Sequence, residues 1–555
     1  MSQDVSGATK TVDYVRAQID RSQARSMVIS TRGVVATEHP LASQAGAMLL
    51  ARGGHAIDAA IAANAVMGVV APMMNGVGGD LFAIVYDRKS GHLHGVNASG
   101  WSPSGLSLDF LRARGLTSMP QSGIHSVTVP GAVAGWSLLH DRFGLRPFSE
   151  VLSSAVRIAE EGFPVSEIIA GEWASGEGLL RADASAAHTY LPDGRAPRTA
   201  EIFRNPSLAW TYRQLAEHGG DAFYRGDIAK RLLACSKQHD GTIAAADLAE
   251  FKAEWVDPIS TTYRGWNVYE LPPNGQGIAA LMMLNIVEQF PIHEYGPNSV
   301  DALHRLIEAK KLAYADMIRH VADPKCARVP IAELLSKVYA RDRATLVDVT
   351  KANDHMPAGT LPTHGGDTTY LCAVDRDGNM VSLIQSIFGN FGSGLVPDGA
   401  GFALQSRGGL FTLDAAHPNA LAPRKRPLHT IIPGFMSRGD VRIAFGIMGG
   451  WNQSQAHAQF VSNVVDHGMN IQAALEAPRF AKITFTGCDV LIEDRVSEQV
   501  RAGLGRKGHQ IEVLGAFSSM VGGGQSVMRD EASGVNFGGS DPRKDGAAIP
   551  EPFLD

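Results

Sequence analysis

The segment with the clearest chemical potential is Gly-Gly-Asp-Thr-Thr-Tyr at residues 365–370. It ends a polar stretch with two prolines (353–365), which predicts an exposed loop. It then opens an apolar run at 369–374 that is typical of a buried strand. A cut before Thr368 would place a free α-amine, with a pKa of about 7.7–8.0, beside that residue's hydroxyl, which the amine could deprotonate. Strand propensity alone also accounts for Asp-Thr-Thr.

Other standard catalytic signatures are missing from the sequence. It has no Gly-x-Ser-x-Gly elbow, no His-Glu-x-x-His motif and no Walker A segment. The 19 histidines offer no pair at clear ligand spacing on one predicted helix, so the sequence supports no metal site and no cofactor. Asp375 and Asp377 resemble the start of a calcium loop. Because the glycine stands at loop position four instead of six, a hairpin turn explains them better.

The composition predicts a globular protein and disfavours several classes of partner. Of 555 residues, 45% are hydrophobic and 19% charged, which allows a large core. The net charge is −6 and no long basic run occurs, which disfavours nucleic acid and anionic membranes as partners. Residues 1–30 contain no apolar signal segment, and no run of 18 apolar residues occurs. The four cysteines lie far apart, so we expect a cytoplasmic protein without a disulfide framework.

Periodicity predicts the elements that must position Thr368. Residues 1–32 are polar and predict a tail or a loose helix. Predicted helices lie at 41–52, 56–70, 148–162, 208–218, 299–318, 454–465 and 471–476. Predicted strands lie at 34–37, 81–86, 369–374, 380–384, 428–432 and 441–445. Strands that pair locally, then helices, then strands again favour a layered α+β sandwich over a parallel doubly wound sheet.

Several of these segments also carry a family resemblance. The stretch from Thr368 to Asn379 resembles the start of the small subunit in the γ-glutamyltransferase family. Further matching motifs follow at 391–394, 425–428, 446–450, 477–480 and 539–543. Upstream, the motifs at 53–60, 76–79 and 127–135 resemble those of the large subunit. The resemblance spans residues 33–550 in the correct order.

This resemblance implies the fold of the N-terminal nucleophile hydrolases, a four-layer αββα sandwich of the α+β class. It implies self-cleavage between Asp367 and Thr368. A large piece (33–367, after the tail of 1–32) and a small piece (368–555) would then stay associated as one αββα unit. Thr368 would attack an amide carbonyl, form an acyl-enzyme and pass the acyl group to water or an amine, without a cofactor. A dimer of such processed chains is compatible with the family.

Three more catalytic roles follow from the resemblance. Ser386 falls where the family has a threonine whose hydroxyl supports the nucleophile. Gly449 and Gly450 match the family's oxyanion-hole glycines, and they precede a predicted helix, so their N–H groups could face a developing oxyanion. An ordinary strand serine and a turn before a helix are the plainer explanations, and the sequence leaves them open.

The predicted acyl pocket departs from the family pattern. Trp101 lies in a segment, 97–103, that lacks the arginine with which typical members bind the α-carboxylate. Phe388 replaces an asparagine, Arg407 replaces a glutamine, and the aspartate that holds the α-amine falls near Leu410. Without that carboxylate, bringing an α-ammonium out of water is costly.

The replacements favour an acidic acyl group. His429 and Thr430 stand where the family has a serine pair. Arg407 and His429 offer positive charge or hydrogen-bond donors, while Phe388 and Trp101 make the pocket more apolar. We therefore expect a small acidic amide as donor instead of a standard γ-glutamyl compound. A surface salt bridge is the plainer explanation of Arg407.

Three alternatives remain open on the sequence. The chain could be a true γ-glutamyltransferase that hydrolyses glutathione. It could be an unprocessed relative that serves as a binding or scaffold protein. It could also be a metal-dependent amidase that uses some of the histidines.

Overall fold

Two seven-stranded sheets face each other, and helices cover the outer face of each. The computed structural model describes residues 23–354 and 367–554, with only the backbone of Asp367. The layer order is helix, sheet, sheet, helix, which confirms the predicted αββα sandwich of the α+β class.

The strands form two large sheets and two small ones. In chain order they are β1 Val28–Ser30, β2 Val34–Thr37, β3 Asp80–Asp87, β4 His92–Ala98, β5 Phe163–Pro164, β6 Ile202–Phe203, β7 Glu254–Val256, β8 Ile259–Tyr263, β9 Trp266–Glu270, β10 Asp367–Val374, β11 Met380–Phe388, β12 Gly434–Arg438, β13 Val441–Ile447, β14 Phe480–Ala481, β15 Asp489–Glu493, β16 Gln510–Leu514, β17 Gly524–Asp530, β18 Val535–Ser540 and β19 Ala547–Pro550. The first large sheet has the order β19-β2-β10-β11-β3-β4-β7, and the second has the order β1-β18-β17-β13-β12-β9-β8. Strands β14, β15 and β16 form one small sheet, and β5 and β6 form the other.

The helices follow the same chain order. They are α1 Pro40–Ala51, α2 Ala56–Val70, α3 Leu108–Arg112, α4 Ala132–Phe143, α5 Phe148–Glu161, α6 Glu167–Ser175, α7 Glu177–Leu180, α8 Ala184–Tyr190, α9 Pro206–His218, α10 Gly220–Tyr224, α11 Asp227–Gln238, α12 Ala245–Ala249, α13 Gly277–Val287, α14 Ile292–Tyr295, α15 Val300–His320, α16 Ile331–Leu334, α17 Lys337–Ala344, α18 Gln453–Val465, α19 Ile471–Glu476 and α20 Glu498–Arg506. None of these helices is both long and apolar enough to cross a bilayer.

Strand alternation builds the core on both faces of the first sheet. In β10, Tyr370 and Cys372 belong to the apolar layer between the two sheets, whereas Leu371 and Ala373 pack on the helix side. Successive strand side chains point to opposite faces, so an apolar residue at every position is what a strand buried on both sides requires. Helix α2 is apolar all round and every one of its residues is buried, because it lies between the sheet and outer helices such as α5.

Most predicted elements are confirmed within a residue or two, and two predictions are wrong. The apolar run 428–432 is not a strand. Its backbone makes one isolated bridge, between His429 and Gly275, and the strand lies just after it in β12. The predicted tail of residues 1–32 lies outside the described residues up to residue 22, and its last part forms strand β1, which pairs with β18. The predicted loop at 353–365 lies outside the described residues from 355 onward.

Candidate active site

Thr368 lies in the middle of the first sheet. It is the second residue of β10, which runs between β2 and β11, and it is fully buried. The register shifts at this point: Asp367 faces Phe388 while Thr369 faces Gln385, so two residues of β11 oppose Thr368. This is a β-bulge, a feature that redirects side chains and is frequent beside active sites.

Two side chains hold the Thr368 hydroxyl. The hydroxyl donates to Ser386 Oγ at 3.3 Å and accepts from Gln453 Nε2 at 3.4 Å. Ser386 Oγ also accepts from the Phe388 N–H at 2.8 Å. All these groups are buried, so bulk water does not compete for the hydroxyl. The structure thus brings together the predicted pair of Thr368 and Ser386, and it adds a glutamine.

Gln453 is a site residue that sequence reasoning missed. It is the first residue of α18, and its Oε1 accepts from the Ile432 N–H at 3.0 Å. Its one sequence signal was its place three residues after the predicted oxyanion glycines, and glutamine at a helix start is too common to be diagnostic.

Gly449 and Gly450 form the turn that leads into α18. Their φ angles are 126° and 56°, a region that residues with a side chain rarely adopt. The Asn452 N–H closes the turn on the Gly449 carbonyl at 2.9 Å. Within residues 23–354 and 367–554, neither glycine N–H has an acceptor. Two unused amides next to a helix start are suited to an oxyanion. We call Thr368, Ser386, Gln453, Gly449 and Gly450 the nucleophile cluster.

Arg407 is buried beside this cluster. It starts the 3₁₀ turn Arg407–Leu410, is fully buried, and donates from Nη1 to Thr430 Oγ1 at 2.6 Å. Its guanidinium lies 4.5 Å from the centre of the Phe388 ring, at cation–π distance. Among the described residues Nε and Nη2 have no partner. Burial lowers the pKa of Arg407 to about 9, with Asp80 acting in the opposite direction, so the side chain stays charged at neutral pH.

Phe388 lies between the nucleophile cluster and Arg407. It ends β11 with a φ of 75°, which is unusual for an aromatic residue. Its N–H bonds to Ser386 while its ring lies against Arg407. Strained backbone of this kind concentrates at functional sites. Phe388 therefore lies between the Thr368–Ser386 pair and Arg407 of the predicted pocket.

Asp80 is a second site residue that the sequence did not single out. It starts β3, directly opposite Ser386 in the sheet register, and is fully buried. Its Oδ1 accepts from the Gly100 N–H at 2.8 Å and from Gln405 Nε2 at 2.9 Å, while Oδ2 lies 3.0 Å from His429 Nε2. We call Asp80, His429, Arg407 and Thr430 the charged cluster.

His429 supports Asp80 and does not carry the expected positive charge. Its Nδ1 accepts from the Ile431 N–H at 3.3 Å, so the ring proton is on Nε2 and points at Asp80. Burial, and then the Arg407 charge, lower the pKa of His429 to about 4, which leaves the ring neutral at pH 7. Both ring nitrogens are used within the protein, so a donor role toward substrate is not available in this arrangement.

A buried glutamine links the two clusters. Gln276 Nε2 donates to the Thr430 carbonyl at 2.5 Å and to the Gly450 carbonyl at 2.7 Å. The backbone of the predicted pocket and the backbone of the glycine turn therefore share one side chain.

Trp101 lies elsewhere. Its Nε1 donates to the Asp247 carbonyl at 3.2 Å, its ring meets Phe251 edge-on at 5.3 Å, and the Arg424 guanidinium lies 5.5 Å from it. Phe251 also lines a surface cleft of about 460 Å³ between α4, α9 and α10. Because these contacts involve neither cluster, the structure does not bring the Trp101 side chain to Thr368.

A cluster with metal-ligand chemistry occurs in another part of the molecule. Ligand atoms of His304, Glu308 and His509 lie within 4.8 Å of one another. His304 Nδ1 and His509 Nε2 are hydrogen-bonded at 2.8 Å, and Glu308 accepts from Lys311 at 2.7 Å. Burial, and then Lys311, lower the pKa of His509 to about 3. Since nearby lysine disfavours a second cation, we assign no metal to this cluster.

Comparisons with known proteins identify the family. The family model for gamma-glutamyltranspeptidase matches residues 42–551. The chain is 35% identical over 527 residues to the glutathione hydrolase-like YwrD proenzyme of Bacillus subtilis (strain 168), which covers 94% of this chain and 99% of that protein. It is 34% identical over 530 residues to the oxamate amidohydrolase proenzyme of Klebsiella pneumoniae, and the match covers 94% of this chain and 98% of that protein. The crystal structure of cephalosporin acylase from Bacillus halodurans matches with a TM-score of 0.90 and 42% identity, and the match covers 96% of this chain and 98% of that one.

The chain therefore belongs to the γ-glutamyltranspeptidase family, as the motifs predicted. It is an enzyme, an amide hydrolase with the N-terminal nucleophile hydrolase fold. This finding favours an enzyme over the alternative of a non-catalytic scaffold.

Proposed function

We propose that the chain cleaves itself between Asp367 and Thr368 and that Thr368 is then the nucleophile of an amide hydrolase. The observation that carries the proposal is the fully buried Thr368 hydroxyl, bonded to Ser386 and Gln453 at a bulge in the central strand. The names of two relatives, both called proenzymes, support the cleavage.

The fold explains why the two pieces would stay together. Residues 33–367 supply β2, β3, β4 and β7 to the first sheet, and residues 368–555 supply β11, β19 and nearly all of β10. Strand β2 pairs with both β10 and β19, so backbone bonds cross between the pieces inside the sheet. Separating them would break this ladder and open the core.

The reaction needs only groups of this chain and the substrate. The free α-amine of Thr368 takes the hydroxyl proton, and Oγ attacks the amide carbonyl carbon. The N–H groups of Gly449 and Gly450 stabilise the negative charge on the carbonyl oxygen. The C–N bond breaks as the leaving nitrogen takes the proton from the α-amine. Water, or an amine acceptor, then attacks the ester and releases the acyl group.

We propose that the acyl donor is a small acidic amide. Two guanidinium nitrogens of Arg407, Nε and Nη2, have no protein acceptor among the described residues, and a carboxylate or an adjacent carbonyl would accept from them. Leu410, at the position of the family's amine-binding aspartate, is buried in an apolar cluster and offers nothing to an ammonium. The name of the oxamate amidohydrolase relative agrees with an acidic donor.

Gel electrophoresis and a substrate panel test this proposal. The wild-type chain should replace its 59.1 kDa band with two bands, the larger about twice the mass of the smaller, whereas Thr368→Ala should remain intact. Processed protein is then compared on oxamate-type amides, glutaryl amides, cephalosporin side-chain amides, glutathione and γ-glutamyl anilide. If γ-glutamyl anilide is the best substrate by a wide margin, the chain is a true γ-glutamyltransferase and the assignment of Arg407 is wrong.

We further propose a cytoplasmic location. All four cysteines are free thiols, as is usual in a reducing compartment.

A further inference from the structure

We infer that Gln453 is a catalytic residue, the hydrogen-bond donor that stabilises the Thr368 oxygen when it loses its proton. The inference rests on the proposed role of Thr368 as nucleophile. Gln453 Nε2 lies 3.4 Å from Thr368 Oγ1, so it contacts the reacting atom directly. The side chain is fully buried, so its amide has no water to bond with in place of the protein groups.

The orientation of the Gln453 amide is determined by its second contact. Its Oε1 lies 3.0 Å from the Ile432 N–H, which is a donor and can only be matched by an oxygen. A flipped amide would set two N–H groups against each other, at the energetic cost of an unsatisfied buried donor. The NH₂ group must therefore face Thr368.

Two different partners flank the threonine oxygen. Ser386 Oγ accepts the hydroxyl proton, and Gln453 supplies a donor from the other side. When the proton moves to a base, the bond to Ser386 loses its proton, whereas the bond from Gln453 strengthens because its acceptor becomes negative. Gln453 thus favours the attacking form of the oxygen over the resting form.

The position of Gln453 also ties the nucleophile to the oxyanion turn. Gln453 is the residue that immediately follows the turn Gly450–Asn452, and it begins the buried helix α18. The turn and α18 therefore place the Gln453 amide, which contacts the attacking oxygen, at a set position relative to the two glycine amides. The same oxygen would attack the Asp367 carbonyl during self-cleavage: the O–C bond forms, the C–N bond to Thr368 breaks, and the hydroxyl proton passes to the new α-amine. Water then hydrolyses the ester. We expect Gln453 to act in both reactions.

The chain contains a matched control two residues away. Gln455 lies on the same helix and is also fully buried. Its amide likewise joins a backbone N–H and a backbone carbonyl, those of Lys482, at 3.0 and 3.1 Å. Replacing Gln455 therefore has a similar structural cost and leaves the Thr368 oxygen untouched.

The experiment compares Gln453→Met, Gln453→Glu and Gln455→Met in the full chain. Self-cleavage half-life is measured on gels, kcat and KM on processed protein, and folding by thermal melting. We expect both Gln453 variants to slow self-cleavage and kcat by about 10- to 100-fold, with KM within about two-fold, because a bond to a charged oxygen is lost. Gln455→Met should keep both rates within about two-fold of wild type, whatever its melting temperature.

The two Gln453 variants are distinguished by their pH profiles. Glu keeps the bond from the Ile432 N–H and brings a negative charge next to the Thr368 α-amine, which raises the pKa of that amine. The acidic limb of kcat/KM should therefore move to higher pH in Gln453→Glu and stay in place in Gln453→Met. If Gln453→Met does not fold, the near-isosteric Gln453→Glu decides the question.

Two outcomes distinguish a failure of the Gln453 inference from a failure of the proposed role of Thr368 as nucleophile. If Thr368→Ala is inactive while both Gln453 variants cleave and turn over like Gln455→Met, the inference alone is overturned. If Thr368→Ala keeps activity, the proposed nucleophile itself is wrong.

Discussion

The nucleophile cluster and the charged cluster meet in the first sheet, where Ser386 and Asp80 lie opposite each other, but they are bonded in different ways. The Thr368 hydroxyl has two long hydrogen bonds, of 3.3 and 3.4 Å, and both are to neutral groups. In the charged cluster Asp80 is held by bonds of 2.8 to 3.2 Å, and Arg407 bonds to Thr430 at 2.6 Å. Long bonds to neutral partners leave a proton free to move, while short charge-assisted bonds hold a group in place. One cluster is thus suited to reaction and the other to recognition.

The largest effect should come from removing the proposed nucleophile. Thr368→Ala should abolish self-cleavage and lower turnover by about 10,000-fold or more, as expected for loss of a covalent catalyst. Thr369→Ala is the control, because the neighbouring Thr369 is equally buried and its hydroxyl faces the Gln385 carbonyl at 3.5 Å. If Thr369→Ala chains also remain uncleaved, self-cleavage is sensitive to any change in this stretch, and the result no longer supports a special role for Thr368.

A smaller loss should follow from altering the glycine turn. Gly449 has a φ of 126°, and an added Cβ would meet Asn452 Cβ and Gly522 Cα at 3.4 Å, an ordinary contact distance, so backbone strain and not space opposes a side chain. Gly449→Ala should lower kcat by about 100-fold, the size expected when an oxyanion donor is displaced. Gly439→Ala is the matched control, since Gly439 has a φ of 52° in a turn with no atom near its Cβ. Equal kcat for the two variants would argue against an oxyanion role.

The charged cluster should respond to the charge of the substrate. Arg407→Met removes the buried cation, so kcat/KM for acidic amides should fall by about 10- to 100-fold, while neutral amides of similar size are affected by less than about three-fold. Self-cleavage should continue in this variant, because Arg407 has no bond to Thr368. A uniform loss on acidic and neutral amides would contradict the recognition role.

The same residue predicts a pH dependence. Arg407 is protonated below its lowered pKa of about 9 and binds an anion only in that form. For acidic amides kcat/KM should therefore decline as the pH rises through about 9, whereas the profile for neutral amides should not show this limb. In Arg407→Met the difference between the two profiles should disappear.

The smallest effect should be on stability at acidic pH. His429 has a pKa of about 4 in the folded chain, below the ordinary value of 6.5, so between these values the unfolded chain binds more protons. The free energy of unfolding should therefore decrease as the pH falls from about 6.5 to about 4. Urea unfolding of the uncleaved Thr368→Ala chain, with and without His429→Gln, measures this contribution. The two curves should converge toward low pH, and parallel curves would contradict it.

The local sequence pattern was sufficient to predict many of the helices and strands. The alanine-rich run of α2 and the apolar runs of β10 and β11 fall where the sequence predicts them, although β11 continues four residues beyond the predicted end, because apolar runs reflect burial directly. The run 428–432 shows the limit of this argument. It is buried as expected, but the His429 N–H bonds to the Asn274 carbonyl and the Gln276 N–H bonds to the His429 carbonyl. Apolar sequence predicts that a segment is inside, and it does not identify the partner of its backbone.

The residues of the candidate site likewise fall into those that local sequence predicts and those that it does not. Thr368, Ser386 and the glycine pair were predicted from motifs because their roles depend on the residues beside them in the chain. Asp80 and Gln453 were missed because their partners are distant in the sequence. Asp80 lies 349 residues before its partner His429, and Gln453 lies 85 residues after its partner Thr368.

The sequence by itself determined the family and the layered fold, and it singled out Thr368 as the proposed nucleophile, because these depend on short motifs and on the periodic burial of side chains. Only the tertiary structure decided which distant side chains surround that threonine, that His429 is neutral and that Trp101 lies elsewhere. Hydrogen-bond partners and protonation states depend on distances across the core, and no local pattern encodes those distances.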